Sequence, residues 1–247
     1  MRVSPFVQAA IEANETIARR LREGVDTAWF VKHGIGAGGD RSAGIDLYAE
    51  GVFIDKLSPF GTIESEESGI IGSGKGHIIL DPIDGSANAL SLFPYFGTSA
   101  AYVNDEGLME AAVVCNLANG DIFIKEKERD TLQGKLFGDA FTPAMRIEEP
   151  SIGIFEKAYA DAKTVAALEA QGWKYRSPGA VALSLAYARQ VAFVLYTGNV
   201  RIYDFAAGLA LCEGLEVVVE QDYVIVSQDM KTARTLDDLM RSIRGEK

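Results

Sequence analysis

The sequence predicts a mixed α/β protein, and three observations carry that expectation. Residues 151–227 alternate strand-like and helix-like apolar runs, the pattern of an α/β layer. Residues 58–127 instead carry short apolar strands separated by turns, with Asn119-Gly120 as a strong hairpin signal. At 247 residues and 48% hydrophobic content, the chain can fill one large domain or two modest ones sharing a core.

Each element follows from its residues. Ser4 and Pro5 open a helix as N-cap and first-turn residues. Phe6, Ala10, Ile17 and Leu21 then recur near helical spacing, and Gly24 closes the element. Five glycines in KHGIGAGGDRSAG (32–44) predict a mobile loop. Residues 45–57 return to helical spacing, with Ile45, Tyr48, Val52 and Leu57 as the inner face. SPFGTIESEES (58–68) reads as a turn, a short strand and an acidic end. GHIILDPID (76–84) reads as a buried strand that stops at its acids, and SANALSLF (86–93) as a short helix.

TSAAYVN (98–104) and LMEAAVVCNLA (108–118) read as strands joined by a turn, with DIFIKEK (121–127) following across Asn119-Gly120. Residues 134–150 mix Gly, Pro and polar residues and read as a connector. The second half opens with strand SIGIFE (151–156), then helices near 158–171 and 180–190 on either side of KYRSPG. Strand VAFVLYT (191–197), helix DFAAGLALCEG (204–214) and strands EVVVE (216–220) and YVIVS (223–227) follow. RTLDDLMRSIRGEK (234–247) ends the chain as an amphipathic helix with a solvated charged face.

The net charge of −11 disfavours an extended nucleic-acid groove, because phosphates repel an acidic chain. It leaves room for a small phosphorylated substrate if cations intervene. Cys115 and Cys212 lie in apolar company and read as buried free thiols. Pro5, Glu12 and Glu15 interrupt any leader-like apolar core, and no run approaches membrane-spanning length. A cytoplasmic location is the expectation.

The chemistry is concentrated in IILDPIDGSANAL (78–90). Asp81 and Asp84 follow an apolar run, three apart, with a proline between them. Alone, Asp84 fits a turn or a helix cap equally well. Further acids at element boundaries shift the balance: Glu66-Glu67, Asp46 and Asp204, each beside apolar residues. Several converging buried carboxylates repel one another unless cations neutralise them. Oxygen donors without nearby His or Cys indicate a hard ion, magnesium or calcium. His33 and His77 do not pair at a metal-like spacing. Gly85-Ser86 supplies the anion half, since backbone N–H groups at a turn leading into a helix bind phosphate oxygens.

D-P-I-D-G-S-x-N at 81–88, preceded by E-E-S at 66–68 and followed by Y-D-F-A-A-G at 203–208, resembles the inositol monophosphatase family. That family belongs to the lithium-sensitive, magnesium-dependent phosphatases, with fructose-1,6-bisphosphatases and phosphoadenosine phosphatases. The fit runs over roughly residues 5–215 by order and spacing. The resemblance implies a layered αβαβα sandwich of the sugar-phosphatase type. It implies an α+β half (1–145) with most metal ligands, an α/β half (146–247) with Asp204 and substrate residues, and a site between them. It also implies a homodimer and two or three Mg2+ ions, with Li+ inhibitory.

By the same resemblance, Glu66, Asp81 and the Ile83 carbonyl ligate a first metal, and Asp81, Asp84 and Asp204 a second. Glu67 stands behind them or binds a looser third ion, toward which the glycine loop at 34–39, ending at Asp40, closes. Gly85 and Ser86 bind phosphate through N–H groups. Glu66, Asp46 and Ser86 are the catalytic set, with Asp46 bonded to the Ser86 hydroxyl that orients the attacking water. Gly179, Ala180 and Val181 match the positions that contact substrate hydroxyls.

The sequence departs from the family pattern at Ser86 and Ala87, where threonines are usual, and at Tyr203, where tryptophan is usual. Thr197 stands where inositol-type members often carry an acid. Arg176 and Arg201 are candidates to grip a second phosphate, with surface ion pairing as the plainer alternative. The expected activity is Mg-dependent hydrolysis of inositol monophosphate or a similar polyol phosphate by metal-activated water. Fructose 1,6-bisphosphate or a 3′-phosphoadenosine nucleotide is the next substrate, and a binding role in an RNA- or transcription-related assembly is the different class.

Overall fold

A computed structural model describes residues 3–245 except 25 and 139. Helices α1 (Pro5–Arg22) and α2 (Gly44–Leu57) bracket a hairpin of β1 (Lys32–Ile35) and β2 (Arg41–Ala43). A large sheet follows, made of β3 (Thr62–Ser65), β4 (Gly69–Ile71), β5 (His77–Asp84), β6 (Gly97–Val103), β7 (Met109–Asn116), β8 (Asp121–Glu126), β9 (Leu132–Lys135) and β10 (Phe141–Pro143). The short helix α3 (Ser86–Leu90) lies between β5 and β6. A second sheet holds β11 (Gly153–Glu156), β12 (Tyr175–Arg176), β13 (Phe193–Thr197), β14 (Glu216–Val219) and β15 (Tyr223–Ser227). Its helices are α4 (Ala162–Ala170), α5 (Val181–Ala186), α6 (Ile202–Leu211) and α7 (Met230–Arg244).

The large sheet runs β10-β9-β8-β7-β6-β5-β3-β4 and is antiparallel except at β3–β5. The second runs β12-β11-β13-β15-β14, with β11 parallel to both of its neighbours. Period-2 alternation sorts their side chains into layers. Ile78, Leu80 and Val113 face α1 and α2, whereas Ile79 and Val114 pack against Ala182, Leu183 and Ala207 of α5 and α6. In β13, Val194 and Tyr196 join Phe205 of α6, while Phe193 and Leu195 join Leu168 of α4 and Leu236 of α7. The stack is therefore helices, sheet, helices, sheet, helices: the αβαβα sandwich. Burying both faces of both sheets suits their long apolar runs.

Several local expectations are corrected. The glycine-rich 32–44 segment is a hairpin, because its turn is hydrogen-bonded to the chain at 66–67: Ala37 N–H donates to the Glu67 carbonyl (3.0 Å) and Gly38 N–H to the Glu66 carbonyl (2.7 Å). The buried stripe of α2 steps Ile45, Ala49, Phe53, Leu57, so Tyr48 and Val52 are only half-buried. Residues 134–150 are not merely a connector, since β9 and β10 pair there and Leu132, Leu136 and Phe141 pack on the first core. The buried strand expected over 76–84 is β5, which ends at Asp84 as expected. The final helix is α7, and residues 246 and 247 of the expected helix lie outside the described residues. Cys115 and Cys212 are buried, free and in different core clusters.

Candidate active site

In a regular strand, residues three apart face opposite sides of the sheet. Between β5 and β6, Asp81 pairs with Ser99 and Asp84 with Gly97, so three steps on one strand meet two on the other. This β-bulge reverses the alternation. Leu80 and Ile83 both enter the α1/α2 core, and both acids line one cleft on the side of α5 and α6. Pro82 sits in the bulge, where a missing N–H is tolerated.

Glu66 comes just after β3, the parallel neighbour of β5, and Asp204 lies in the first turn of α6. One carboxylate oxygen from each of Glu66, Asp81 and Asp204 lies within 4.8 Å of the others. Asp81 and Asp204 are 3% and 4% exposed. Burial pushes Glu66 up to about 7, against the pull of Arg201 and with added repulsion from Asp204 and Glu67. Burial also drives Asp81 well above the usual carboxylate range, reinforced by Glu66, Asp84 and Asp204. Asp84 is raised the same way, although the Leu183 N–H, donating at 2.8 Å, opposes it. Asp84 lines the same cleft without joining the 4.8 Å set.

Such a group resists ionisation together without added positive charge. Its donors are all oxygen: His77 Nε2 is 2.7 Å from Glu64 Oε2, and His33 lies on exposed β1. A hard dication fits this donor set.

The anion side begins one residue later. Gly85 has φ +87°, a left-handed conformation that glycine adopts without strain. A Cβ there would also lie 3.0 Å from Ala180 Cβ and 3.1 Å from the Gly179 carbonyl. Ser86 Oγ is 2.7 Å from Asp46 Oδ1 and 3.0 Å from the Ile83 carbonyl. Asp46 Oδ2 in turn accepts Ala43 N–H at 2.7 Å, which fixes the carboxylate at the start of α2. Burial raises Asp46 above its ordinary value. Asn88 donates to the carbonyls of Tyr95 and Pro178, both at 2.7 Å, and so staples this turn to the opposite wall.

Glu67 accepts the Ser42 hydroxyl, and burial raises it as well. A Cβ at Gly38 would lie 2.4 Å from Glu66 Cγ, so the hairpin turn can sit on the acids only without a side chain there.

The cleft encloses about 490 Å³ and brings together Asp46, Glu66, Glu67, Asp81, Ile83, Asp84, Gly85, Ser86 and Asp204 with Gly179, Val181 and Arg201. Ala180 lies behind the wall, 1% exposed. Two expectations change. Arg176 is exposed, donates to its own Tyr175 carbonyl and borders a different pocket beyond Pro178. Arg201 is in the cleft, but its guanidinium already faces Glu66, Asp204 and Asp40. The other basic side chains lining the cleft are Lys32, Arg41 and Lys157.

Sequence reasoning also missed Glu156, at the end of β11. It accepts Gly179 N–H (2.9 Å), Ala180 N–H (3.3 Å) and Ser184 Oγ–H (2.5 Å), and so shapes the cleft wall around Gly179. The signal was present: SIGIFE is an apolar strand ending in an acid, as HIILDPID is.

The sequence profile of the inositol monophosphatase family matches residues 4–220. The chain belongs to this family. Among its relatives, the Nus factor SuhB of Xylella fastidiosa is 27% identical over 227 residues, covering 85% of this chain and 78% of that protein. The fructose-1,6-bisphosphatase of Pyrococcus furiosus is 28% identical over 186 residues, covering 72% of this chain and 69% of that one. The bifunctional NADP phosphatase/NAD kinase of Methanococcus maripaludis is 26% identical, and the match spans 72% of this chain but only 36% of that longer protein. An IMPase from Thermotoga maritima superposes with a TM-score of 0.76 at 23% identity, over 96% of this chain and 98% of that one, and shows the shared fold. At the edge of this site, Tyr203 reaches Glu64 Oε1 with its hydroxyl at 3.5 Å.

Proposed function

We propose that this chain is a Mg2+-dependent phosphomonoesterase acting on inositol monophosphate or a similar small phosphorylated polyol or sugar. The observation that carries the reading is the convergence of Glu66, Asp81 and Asp204 within 4.8 Å, beside the Gly85–Ser86 turn. Glu66, Asp81, Asp84, Asp204 and the Ile83 carbonyl would hold the ions, two or three in number. When bound, they supply Lewis acidity: they acidify a water and offset charge building on the phosphate and the leaving alcohol.

The chain's own residues do the rest. Gly85 and Ser86 hold phosphate oxygens with their N–H groups. The Ser86 hydroxyl donates its proton to Asp46, which leaves its oxygen free to accept from the attacking water and aim it. Glu66, beside the ion site, is the carboxylate we assign to take that water's proton. Gly179 and Val181 present a small-residue wall to the alcohol portion.

The relative named Nus factor SuhB supports a second reading, a binding role in a transcription-related assembly. One experiment separates the two: phosphate release from inositol monophosphate, fructose 1,6-bisphosphate, a 3′-phosphoadenosine nucleotide and NADP+, with and without Mg2+, and with Li+ added. Mg2+-dependent release from the polyol ester, suppressed by Li+, is expected. No release from any ester favours the binding role. In the same assay Asp84→Asn abolishes turnover in a folded protein, and parent-rate hydrolysis by that variant would remove Asp84 from the site.

A further inference from the structure

Resting on the phosphomonoesterase reading above, we propose that Lys157 is a specificity-determining residue: its ammonium forms a subsite for a second phosphate on the substrate, so that the ester best suited to this cleft is doubly anionic. Lys157 follows Glu156 at the end of β11 and lines the cleft. A Cβ at Gly85 would lie 3.1 Å from the Gly179 carbonyl, and Gly179 N–H donates to Glu156 at 2.9 Å. The order along the wall is thus the Gly85–Ser86 turn, Gly179, Glu156 and Lys157. A substrate whose ester phosphate sits on the turn extends its other end along this wall.

The backbone marks the position. Lys157 has φ +59° and ψ 24°, a left-handed conformation that favours glycine. Leu92, Glu128 and Phe137 also have positive φ, but of these four described residues only Lys157 lines the cleft. A lysine held there against its own preference is a reason to look for a role.

The side chain supplies one. Its Nζ donates to Tyr196 Oη at 2.8 Å, and Tyr196 Oη donates onward to the Asn199 carbonyl at 2.6 Å. Tyr196 is 1% exposed, so the ammonium hangs from a fixed point. The stem passes Gly198, where a Cβ would lie 3.8 Å from Lys157 Cδ. An ammonium has three donors, and Lys157 makes no ion pair among the described residues. A half-buried cation whose only hydrogen-bond partner is neutral gains most from an arriving anion.

The other cations of the cleft are placed differently. Arg201 is taken by Glu66, Asp204 and Asp40. Lys32 and Arg41 belong to the β1–β2 hairpin. Lys32 acts on Asp46, opposing the rise that burial causes, and Arg41 donates to the His33 carbonyl at 3.4 Å. A neutral polyol would leave Lys157 without a counter-charge, whereas a second phosphate supplies it. A sugar bisphosphate and a phosphorylated nucleotide share this chemistry. Tyr159, two residues on and 86% exposed, lines the same cleft and would stack on a nucleotide base but not on a sugar phosphate.

The test compares kcat/KM with Mg2+ on inositol monophosphate, fructose 1,6-bisphosphate and a 3′-phosphoadenosine nucleotide carrying a 5′-phosphate. The parent should favour one of the doubly anionic esters. Lys157→Gln should lose about tenfold more on that ester than on inositol monophosphate, chiefly in KM, the scale of one charge-assisted hydrogen bond. Lys157→Arg should recover most of the difference, and Lys32→Gln and Arg41→Gln should show much less of it. Lys157→Gly relaxes the left-handed backbone, so it should fold at least as stably as the parent and still lose the discrimination. Tyr159→Ala names the source: a loss on the nucleotide alone assigns the second phosphate to a nucleotide, and no loss assigns it to a sugar.

A parent with no preference for a second phosphate overturns the proposal. So do equal losses on both kinds of ester in Lys157→Gln and Lys157→Gly, or an equal loss of discrimination in Lys32→Gln or Arg41→Gln. If the parent hydrolyses none of the esters, the phosphatase reading fails, and calorimetric binding of the same three compounds decides this proposal by itself. Tighter binding of a doubly anionic compound that Lys157→Gln loses supports the subsite. Equal affinity in parent and variant removes it.

Discussion

Ser86 Oγ stands 2.7 Å from Asp46 Oδ1, joining the turn after the paired acids to the first turn of α2, 40 positions earlier in the chain. The serine has one proton, and the Ile83 carbonyl at 3.0 Å is its only other acceptor in the structure among the described residues. Ser86→Ala removes the oxygen that aims the water while leaving Asp46 held by Ala43 N–H. We expect kcat to fall by roughly 100-fold, the scale of one positioned proton-transfer group, with an unchanged unfolding midpoint. Ser86→Thr keeps the hydroxyl and should keep most of the rate. Parent-like kinetics in Ser86→Ala would remove this residue from the mechanism.

Glu156 is 1% exposed and satisfies two backbone N–H groups and a hydroxyl. Glu156→Ala leaves all three without that partner and should cost about 2–3 kcal/mol in urea unfolding. Because Glu156 fixes the backbone that places Gly179 and Val181 in the cleft wall, KM should rise more than kcat falls. Glu156→Gln retains one acceptor oxygen and should show a smaller version of both effects. A KM unchanged in both variants would confine Glu156 to stability.

In chelator, stability should fall as pH rises. The Glu66 carboxyl is raised by burial from 4.5 to about 7 in the folded protein, so the fold binds its proton more tightly than the unfolded chain does. Its contribution is then fully present below about pH 4.5 and lost as pH rises through about 7. Asp81 and Asp84 are shifted in the same direction and add to the trend. Saturating Mg2+ should flatten the profile by supplying the missing positive charge. Urea midpoints from roughly pH 5 to 8, with EDTA and with Mg2+, read this directly. A level profile in EDTA would mean that the acids do not titrate as a buried group.

Gly85→Ala forces a side chain onto a backbone at φ +87° and puts Cβ 3.0 Å from Ala180 Cβ. The left-handed conformation alone should cost about 1–2 kcal/mol. The displaced turn should weaken competitive inhibition by inorganic phosphate more than it weakens Mg2+ binding. The reverse order would assign the turn to the metal side.

Arg176→Ala should leave kcat/KM nearly unchanged on both a monophosphate and a bisphosphate, since its side chain borders another pocket. A loss confined to the bisphosphate would restore it as a second-phosphate ligand.

The acids were legible in the sequence because each ends or begins an apolar element, an expensive place for an unpaired charge. The αβαβα order was reachable from the motif resemblance, and the separate strands and helices from their periodicity. What sequence patterns hid was tertiary in origin. The glycines of 34–39 read as freedom, yet the turn is fastened by carbonyls of Glu66 and Glu67 that pattern reasoning does not bring near. Tyr48 and Val52 fit helical spacing, but which stripe of α2 turns inward depends on the sheet beneath. Arg201 reads as a phosphate ligand only until Asp204, three residues on, and Glu66, far upstream, are found within its reach.

The single extra residue between Asp81 and Asp84 ties the chemistry of this protein to its packing. Were that slack removed by a one-residue deletion, the parity of the strand would break. Either the second aspartate would point into the oily layer beneath α1 and α2, or the whole Ile78-Ile79-Leu80 ladder would swap sides to keep the pair together. Length changes here should therefore be far less tolerated than changes of side chain, and insertions or deletions across 81–84 should abolish soluble protein where substitutions merely silence it.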